Sequence, residues 1–441
     1  MREGFFSTTG VRGIANADFT PEFAIKLAKS FSTIFNGDIF IAHDTRTAAK
    51  MIENATTSAL LSTGSKVYRG GLLPTPAVNF AVKHYEFDGG ISVTSSHNPP
   101  EYIGMKFIIS GGMELSPEKA DVMEDIFYRE SFKTVTWDKI SNPIEFPEVK
   151  DRYIENLLDF AGVSSDLRVA LDCGNGAMCG ILPEILKMIG CKVVEINSEP
   201  DSFFRGRGAE PNKTALKQLS RIVKEKKCDI GIATDGDGDR CVFVDNTGAI
   251  LSGDYAGAIF TRYLYSGKKV VTSVATSDII TAVSRNVLFT AVGAASIVDT
   301  LIKEKAGFAF EENGGFIFPE YLPARDGAAA ALMMIKVLEQ NNKPLNILVS
   351  ELPDIYIFSG KICVDSKGIV MEEIAKILRE KHENIIETDG LKVMDSRGSF
   401  LIRASGTENV IRIRVFSPDD KYGARLYRKL ENLVRNIGQG K

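Results

Sequence analysis

The feature that most constrains the fold is an alternation of short β-rich runs with helical stretches over roughly the first 350 residues. In one example, a strand predicted over residues 167–171 is followed by a polar turn and a helix that ends at Met188. Strands that alternate with helices predict βαβ units and parallel sheets, and ligands bind such sheets at the loops after the strand ends. The fold class predicted for this part of the chain is therefore α/β, with mixed, largely parallel sheets.

The domain organisation follows from the same pattern. With 441 residues the chain is long enough for several domains. The alternation divides into three α/β units over residues 1–148, 149–247 and 248–353, which share a pattern but no demonstrable sequence repeat. Residues 354–441 combine strands with two helices in a different order and predict a C-terminal α+β domain.

Composition excludes several function classes. The net charge is -4 and 25% of the residues are charged, so the chain has neither the basic footprint of a nucleic-acid-binding protein nor a polybasic membrane patch. No apolar run approaches the length of a membrane span, and no signal peptide is recognised at the start of the sequence. Six scattered cysteines predict buried, reduced thiols in a cytoplasmic protein. A local basic pocket for a small anion stays open.

A hydroxyl-rich loop follows the strand predicted over residues 90–93. Residues 94–100 read TSSHNPP. Serine hydroxyls beside a histidine can supply a nucleophile. A satisfied turn is the alternative explanation for the same residues.

An acidic loop follows the strand predicted over residues 229–233. Residues 235–240 read DGDGDR, and carboxylates that alternate with glycines can converge on one hard cation. Without a cation, three close carboxylates would repel one another, which argues against a simple acidic turn. The EF-hand pattern fails, because Arg240 stands where that loop needs glycine and Asn246 where it needs glutamate. The loop predicts a magnesium site beside a phosphate, with Asp235, Asp237 and Asp239 as ligands.

Two further loops carry polar groups after predicted strands. Residues 403–408 read RASGTE and offer backbone N–H groups, two hydroxyls and a guanidinium, which suit a phosphate dianion. Residues 311–315 read EENGG, and their carboxylate and amide groups suit vicinal sugar hydroxyls. Each loop alone is also compatible with an ordinary turn.

The four loops in this order resemble the α-D-phosphohexomutase superfamily, which includes phosphoglucomutase, phosphomannomutase and phosphoglucosamine mutase. The resemblance covers essentially the whole chain. Residues 6–13, FSTTGVRG, are similar to the family's opening FGTSGIRG, and DTR follows at residues 44–46. Residues 235–240 match the family's DGDGDR at every position, and residues 403–408 match RxSGTE. The resemblance implies an intramolecular phosphotransferase with three related α/β domains and a C-terminal domain around one cleft.

The same resemblance implies roles for individual residues. Ser96 would carry a covalent phosphate, and one Mg²⁺ per chain would be held by its phosphoserine together with the three aspartates. The intermediate would be a hexose 1,6-bisphosphate. Arg12, His97 and Lys106 would handle protons. Lys106 would be the base that accepts the proton of the attacking sugar hydroxyl, because we expect neighbouring cations to lower its pKa. Substrate contacts are implied for Glu311, Asn313, Arg240, Arg403, Ser405, Gly406 and Thr407.

The sequence departs from the family pattern near the predicted site. Ser95 replaces the usual alanine, so two serines compete for the nucleophile role, and the register before His97 favours Ser96. Ile103 replaces an asparagine, and Gly315 replaces a histidine that some members use for proton transfer.

The preferred sugar and two rival function classes stay open. We expect interconversion of the 1- and 6-phosphates of glucose and mannose, with phosphoglucosamine mutase as the alternative. A magnesium phosphatase and a sugar-phosphate-binding regulator are the rival classes. The expected partners are small-molecule sugar phosphates, with no nucleic acid and no membrane, and the expected assembly is a monomer or a homodimer.

Overall fold

The computed structural model describes residues 10–405 and 409–438. Within these residues the chain forms four β-sheets that follow one another along the sequence, and helices pack against them.

The first sheet and its helices occupy the amino-terminal part of the chain. The elements are β1 Val11–Ile14, α1 Pro21–Ile34, β2 Asp38–His43, α2 Ala49–Ser62, β3 Lys66–Leu72, α3 Thr75–His84, β4 Gly89–Val93, β5 Tyr102–Ile109, β6 Met113–Glu114, α4 Pro117–Arg129, a 3-10 helix Trp137–Lys139 and β7 Ile144–Glu145. The strand order is β1-β5-β4-β2-β3-β7, with β6 beside β5. Strands β4, β2, β3 and β7 are parallel, whereas β1, β5 and β6 pair in antiparallel fashion. The carboxyl ends of β2 and β4 therefore share one edge.

The second sheet is smaller and has four strands. Its elements are α5 Val149–Ala161, β8 Arg168–Asp172, α6 Leu182–Met188, β9 Lys192–Ile196, α7 Lys217–Glu225, β10 Ile230–Thr234 and β11 Cys241–Asp245. The order is β11-β10-β8-β9, and β9, β8 and β10 are parallel. All five residues of β10 are buried, which is typical of a central parallel strand.

The third sheet mixes parallel and antiparallel pairs. Its elements are α8 Gly253–Tyr263, β12 Val270–Ser273, α9 Ile279–Val283, β13 Val287–Thr290, α10 Ala294–Lys303, β14 Phe308–Phe310, β15 Phe316–Phe318, β16 Leu322–Arg325, α11 Gly327–Asn341 and α12 Leu345–Ser350. The order is β13-β12-β14-β15-β16. Helix α11 begins directly after β16, because Asp326 caps it by accepting hydrogen bonds from the N–H groups of Ala328 and Ala329 at 2.9 Å.

The fourth sheet is fully antiparallel. Its elements are β17 Tyr356–Cys363, α13 Lys367–Arg379, β18 Ile385–Ile386, β19 Leu391–Asp395, β20 Gly398–Ala404, β21 Val410–Ser417 and α14 Asp420–Gly438. The order is β17-β21-β20-β19-β18. Three α/β sheets followed by one α+β unit confirm the fold class predicted from the sequence.

The sheets differ in how they share a core. One large cluster of buried residues runs through the first three units, from Phe40 and Tyr153 to Phe243 and Phe310. The fourth unit has its own core, and a small cluster around Val274, Ala275 and Leu401 joins it to the third. The first three units thus share one continuous hydrophobic core, whereas the hydrophobic cluster that joins the fourth to the third is small.

The structure can be compared with two predictions drawn from the sequence, the burial of the cysteines and the absence of a membrane span. Five of the six cysteines are buried as expected, but Cys363 is exposed, because it lies near the end of the edge strand β17. No helix of the described ranges combines the length and the apolar character that crossing a membrane requires.

Candidate active site

Ser96 lies in the loop between β4 and β5 and is 2% exposed. Its backbone is left-handed, with φ 49°, and its N–H donates to Thr94 Oγ1 at 2.9 Å. The hydroxyl donates to Asp235 Oδ2 at 2.8 Å and lies 3.3 Å from His97 Nδ1. A serine oxygen of the first sheet therefore meets a carboxylate of the second.

The neighbouring serine has a different environment. Ser95 is equally buried, but its hydroxyl donates to Asn98 Oδ1 at 3.4 Å, within its own loop. Of the two adjacent hydroxyls, the one on Ser96 faces the acidic loop of the second sheet.

The acidic loop follows β10 and gathers three carboxylates at one point. One oxygen each from Asp235, Asp237 and Asp239 lies within 4.8 Å of the others, and all three residues are buried. Glycine is required between them, because a Cβ at Gly236 would lie 2.6 Å from the carbonyl oxygen of Ser96. The two loops are therefore in backbone contact.

The carboxylates fit a hard divalent cation. Asp237 Oδ1 and Asp239 Oδ1 are buried and accept no hydrogen bond within the described part of the chain. Buried acceptors without a partner are costly, so such atoms point to a ligand. Oxygen donors at this spacing, with the Ser96 hydroxyl beside Asp235, are the set that Mg²⁺ prefers.

The three carboxyl groups differ in their protonation behaviour. Burial raises the pKa of Asp235 to about 8, and the charges of Asp239 and Asp237 act in the same direction. Burial also acts to raise the pKa of Asp239, but Arg325 and Lys106 outweigh it and hold that pKa below its usual range. The pKa of Asp237 is likewise lowered, because the nearby Lys106 outweighs burial and the charge of Asp239.

Lys106 is the cation closest to these groups. It is carried by β5, is 4% exposed, and its Nζ donates to Asp237 Oδ2 and Asp239 Oδ2, each at 2.6 Å. Burial acts to lower the pKa of Lys106, but the two aspartates outweigh burial and raise it. The expectation of a lowered pKa is therefore wrong, because the nearest charges are negative.

Arg325 was considered from the sequence only as part of a loop that could contact C2 of the sugar, yet it connects three parts of the site. Its Nη2 lies 2.8 Å from Asp239 Oδ2 and 2.9 Å from Glu114 Oε1, and its Nη1 donates to Glu311 Oε2 at 2.9 Å. The three carboxylates raise its pKa well above the usual value despite burial. The available sequence signal was its position before Asp326, at the end of a strand.

Three other predicted residues surround the Ser96 loop. Arg12 Nη1 donates to Asn98 Oδ1 at 2.7 Å. Arg240 Nε lies 3.9 Å from Asp235 Oδ2. Burial, Arg240 and Arg12 lower the pKa of His97 to about 3. His97 is therefore a neutral imidazole at physiological pH.

The predicted sugar loop begins where β14 ends, and its two predicted residues have different surroundings. Glu311 is 3% exposed and receives the hydrogen bond from Arg325. Asn313 is exposed, and its Oδ1 accepts the N–H of Gly315 at 3.2 Å. The Glu311 carboxylate is thus bound to Arg325, which also contacts Asp239, whereas the Asn313 amide is exposed.

Glu312, between these two residues, was not singled out from the sequence. Its Oε1 accepts a hydrogen bond from Arg414 Nη1 at 3.0 Å, and its Oε2 accepts one from Ser273 at 3.2 Å. Because Arg414 belongs to β21, this contact links the sugar loop to the fourth sheet.

The predicted phosphate loop begins within β20 of the fourth sheet, at Arg403. Arg403 Nε lies 2.8 Å from Asp389 Oδ2, and the carbonyl oxygen of Ser405 accepts a hydrogen bond from Lys367 at 2.8 Å. The remaining predicted residues of this loop lie outside the described residues, namely Gly406 and Thr407.

Four families that describe successive domains of phosphoglucomutase/phosphomannomutase match this chain. Alpha/beta/alpha domains I, II and III match residues 4–134, 151–248 and 252–356, and the C-terminal domain matches residues 361–432. The chain belongs to the α-D-phosphohexomutase superfamily. It is therefore a phosphohexomutase, an isomerase that transfers phosphate within a sugar phosphate.

Relatives of this phosphohexomutase carry two kinds of name. A phosphoglucomutase/phosphomannomutase of Thermococcus kodakarensis is 37% identical, over 92% of this chain and 93% of the relative. A phosphoglucosamine/phosphogalactosamine mutase of Sulfurisphaera tokodaii is 34% identical, over 97% and 98%. A crystal structure of a phosphoglucomutase/phosphomannomutase family protein from Burkholderia thailandensis shares the fold with a TM-score of 0.88, at 21% identity over 99% of this chain and 98% of that one.

Proposed function

We propose that this phosphohexomutase interconverts the 1- and 6-phosphates of glucose and mannose through a phosphoserine at Ser96. The observation that carries the proposal is the hydrogen bond of 2.8 Å from Ser96 Oγ to Asp235 Oδ2, inside a buried group of carboxylates and cations. Members of the superfamily use Mg²⁺ and a phosphoserine. We propose Asp235, Asp237, Asp239 and the phosphoserine as the Mg²⁺ ligands, and the bound ion would neutralise charge on the phosphoryl group.

In the first half-reaction, the bond between Ser96 Oγ and phosphorus breaks as a sugar hydroxyl forms the new oxygen–phosphorus bond. The product is a hexose 1,6-bisphosphate, and the proton of the attacking hydroxyl ends on the serine oxygen that leaves phosphorus. In the second half-reaction the other phosphoryl group returns to Ser96, after the sugar has reversed its orientation. The transition state of phosphoryl transfer is loose, so positioning and charge neutralisation supply most of the rate and a strong base is not required.

The charges around Ser96 suit this chemistry. Lys106 stays protonated beside Asp237 and Asp239, so it supplies positive charge beside two of the proposed metal ligands. A protonated Lys106 cannot accept the proton of the sugar hydroxyl, so we propose that it acts through its charge rather than as the base. Neutral His97 lies 3.3 Å from that oxygen and can accept a hydrogen bond without first losing a proton.

The substrate range is proposed from the sugar loop. We assign Glu311 and Asn313 to O3 and O4, as an acceptor and a mixed donor and acceptor, and assign neither to C2. A site without a polar partner for one hydroxyl discriminates between its epimers by only about 10- to 100-fold. Glucosamine phosphate is the second candidate substrate, since one relative at 34% identity is named for glucosamine and galactosamine phosphates.

The test compares kcat/KM for glucose 1-phosphate, mannose 1-phosphate and glucosamine 1-phosphate under one set of conditions, with released inorganic phosphate measured in the same samples. We expect glucose and mannose phosphates to fall within about 100-fold of each other. A preference above about a thousandfold for glucosamine phosphate would reject dual specificity. Release of phosphate without isomerisation would instead support the phosphatase class.

We also propose domain boundaries near residues 148, 247 and 353. They are supported by the strand bounds, because all strands of each sheet fall within one of the resulting segments. The proposed partners are sugar phosphates, and sedimentation velocity would distinguish the proposed monomer from the homodimer.

A further inference from the structure

One buried arginine behind the Ser96 loop has no role in the chemistry described so far. Arg46 follows β2, in the DTR segment, and is 3% exposed. Its Nη2 donates to the carbonyl oxygens of Ser96 and Asn98, each at 2.7 Å. Its Nη1 donates to the carbonyl oxygens of Pro99 and Tyr102. One guanidinium therefore binds three backbone carbonyls of the Ser96 loop and a fourth at the first residue of β5.

The fifth N–H of the guanidinium fixes the arginine itself. Arg46 Nε donates to Asp44 Oδ2 at 3.0 Å, and the same oxygen accepts the hydroxyl of Thr94 at 2.6 Å. Thr94 Oγ1 in turn accepts the N–H of Ser96. The loop is thus held at the carbonyl and at the N–H of the serine, through side chains that meet at Asp44.

This arrangement supports an uncommon backbone conformation. Ser96 has φ 49°, in the left-handed region that few residues with a side chain adopt. Such conformations persist where several independent contacts of the surrounding structure hold the backbone in place. Here the left-handed turn directs the Ser96 hydroxyl toward Asp235, whereas the Ser95 hydroxyl stays within the loop.

A residue of the second unit packs against the guanidinium of Arg46. The ring of Phe204 lies against the guanidinium of Arg46, 4.9 Å from its carbon to the ring centroid, and Phe204 is 2% exposed. A Cβ at Gly236 would lie 2.6 Å from the Ser96 carbonyl oxygen and 3.4 Å from the Phe204 ring. The carbonyl that Arg46 holds is therefore also the atom that sets the spacing between the serine loop and the acidic loop.

We propose that Arg46 is a positioning residue for phosphoryl transfer, which fixes the Ser96 loop so that the serine oxygen faces the aspartates. The inference rests on the proposed function, because it requires Ser96 to be the phosphorylated residue. A lysine at this position keeps the charge but has three donors on one nitrogen, so it cannot hold four separate carbonyls. The loop would then sample other conformations, and the rate of transfer would fall more than the affinity for the sugar phosphate.

The experiment compares Arg46→Lys with Arg69→Lys in the full-length protein. Arg69 is a matched control in the same sheet, because its guanidinium bonds Glu53 Oε2 at 3.1 Å and does not contact the Ser96 loop. For Arg46→Lys we expect kcat to fall by about 100-fold with KM within about threefold, and the ³¹P resonance of the phosphoserine to broaden or shift. Arg69→Lys is expected to stay within about threefold in both constants.

A second variant keeps the test decisive if Arg46→Lys does not fold. Phe204→Leu removes the ring from the guanidinium and leaves the five hydrogen bonds in place, so we expect kcat to fall by about 3- to 10-fold with KM unchanged. A wild-type kcat and ³¹P spectrum in Arg46→Lys would overturn the inference. If Arg46→Lys fails to fold, a wild-type kcat in Phe204→Leu would overturn it.

Phosphosite mapping of the wild-type protein separates the two proposals. Absence of phosphate on Ser96 would overturn the proposed function. Phosphate on Ser96, together with a kcat of Arg46→Lys equal to that of the wild type, would overturn the positioning role alone.

Discussion

Two charged regions of the molecule are built differently. The transfer centre consists of Ser96, Lys106, Asp235, Asp237, Asp239 and Arg325. All of its members are at most 4% exposed, and each charged group has an opposite charge nearby. The phosphate-side cluster consists of Arg403, Asp389, Arg414 and Glu312. Its side chains are 20–24% exposed, and its ion pairs reach water.

This difference in burial suits phosphoryl transfer in one region and phosphate binding in the other. Charges that are buried with their partners are costly to rearrange, so the transfer centre is fixed before the substrate arrives. Ion pairs that reach water contribute little stability, so the exchange of Asp389 for a phosphate, which the predicted role of Arg403 requires, would cost little. Changes in the transfer centre should therefore lower kcat, whereas changes in the phosphate-side cluster should mainly raise KM.

The largest effect is expected at the nucleophile. Ser96→Ala removes the only atom proposed to carry the phosphoryl group, so mutase activity should fall by about 10⁴-fold or more. Ser95→Ala is the matched control, because its hydroxyl bonds Asn98 within the loop, and it should stay within about threefold. Steady-state kinetics of the two variants decide. Comparable losses in both would show that the two hydroxyls are not distinguished as described.

The next effect is expected at the acidic loop. Asp237→Asn removes a charge that faces Lys106, and we expect kcat to fall by about 10³-fold and Mg²⁺ binding, measured by calorimetry, to weaken. Asp245→Asn is the control. Asp245 is the buried last residue of β11, and its Oδ1 alone accepts the bonds from Thr247 and Ala249, which an amide oxygen can also accept. Full activity after exhaustive chelation would contradict the proposed metal site.

A smaller effect of a different kind is expected in the fourth sheet. Arg403→Gln removes the guanidinium that is predicted to bind the nonreacting phosphate, so KM should rise by about 10- to 100-fold while kcat changes less than about tenfold. Arg397→Gln is the control, because Arg397 lies against Tyr422 rather than in the phosphate loop. A loss confined to kcat at Arg403 would remove the distinction between the two regions.

The smallest effect concerns how the fourth sheet is attached. Lys392 is fully buried at this junction, and its Nζ donates to the carbonyl oxygen of Thr276 at 2.6 Å. Burial lowers the pKa of Lys392 to about 8, although Asp278 and Asp254 act to raise it. The folded pKa is below that of the unfolded chain, near 10.4, so the charged lysine costs stability below pH ~8 and the cost fades as pH rises toward ~10.

The measurement is calorimetric unfolding of wild type and Lys392→Met at pH 7.5 and pH 9.5. Relative to Lys392→Met, the wild type should gain up to about 2 kcal/mol between these two values. Parallel pH dependence of the two proteins would contradict the lowered pKa of Lys392.

What the sequence could predict depends on how far apart the interacting residues lie in the chain. The acidic loop is contiguous, so its three carboxylates could be recognised from their alternation with glycines. Arg325 could not be assigned in the same way, because its partner Glu114 is 211 residues away and neither residue stands in a recognisable motif. The order of strands and helices was likewise local and predictable, because hydrophobic periodicity carries it.

The direction of the Lys106 pKa shows the same limit. Its cationic neighbours in the family pattern suggested a lowered pKa, but in the folded chain its nearest charges are Asp237 and Asp239. These aspartates are more than 130 residues from it in sequence, so their proximity depends on the packing of the first sheet against the second. The direction of a pKa shift therefore depends on which charges the fold brings close to the group, and a short motif does not contain that information.

The central claim is that the phosphoryl group is carried by Ser96, and phosphosite mapping tests it most directly. The protein is incubated with glucose 1,6-bisphosphate and Mg²⁺, digested, and the peptide that contains both serines is fragmented in a mass spectrometer. The account predicts a single phosphate on Ser96, retained in Ser95→Ala and lost in Ser96→Ala. Phosphate on Ser95, or an active enzyme without phosphate on either serine, would contradict it.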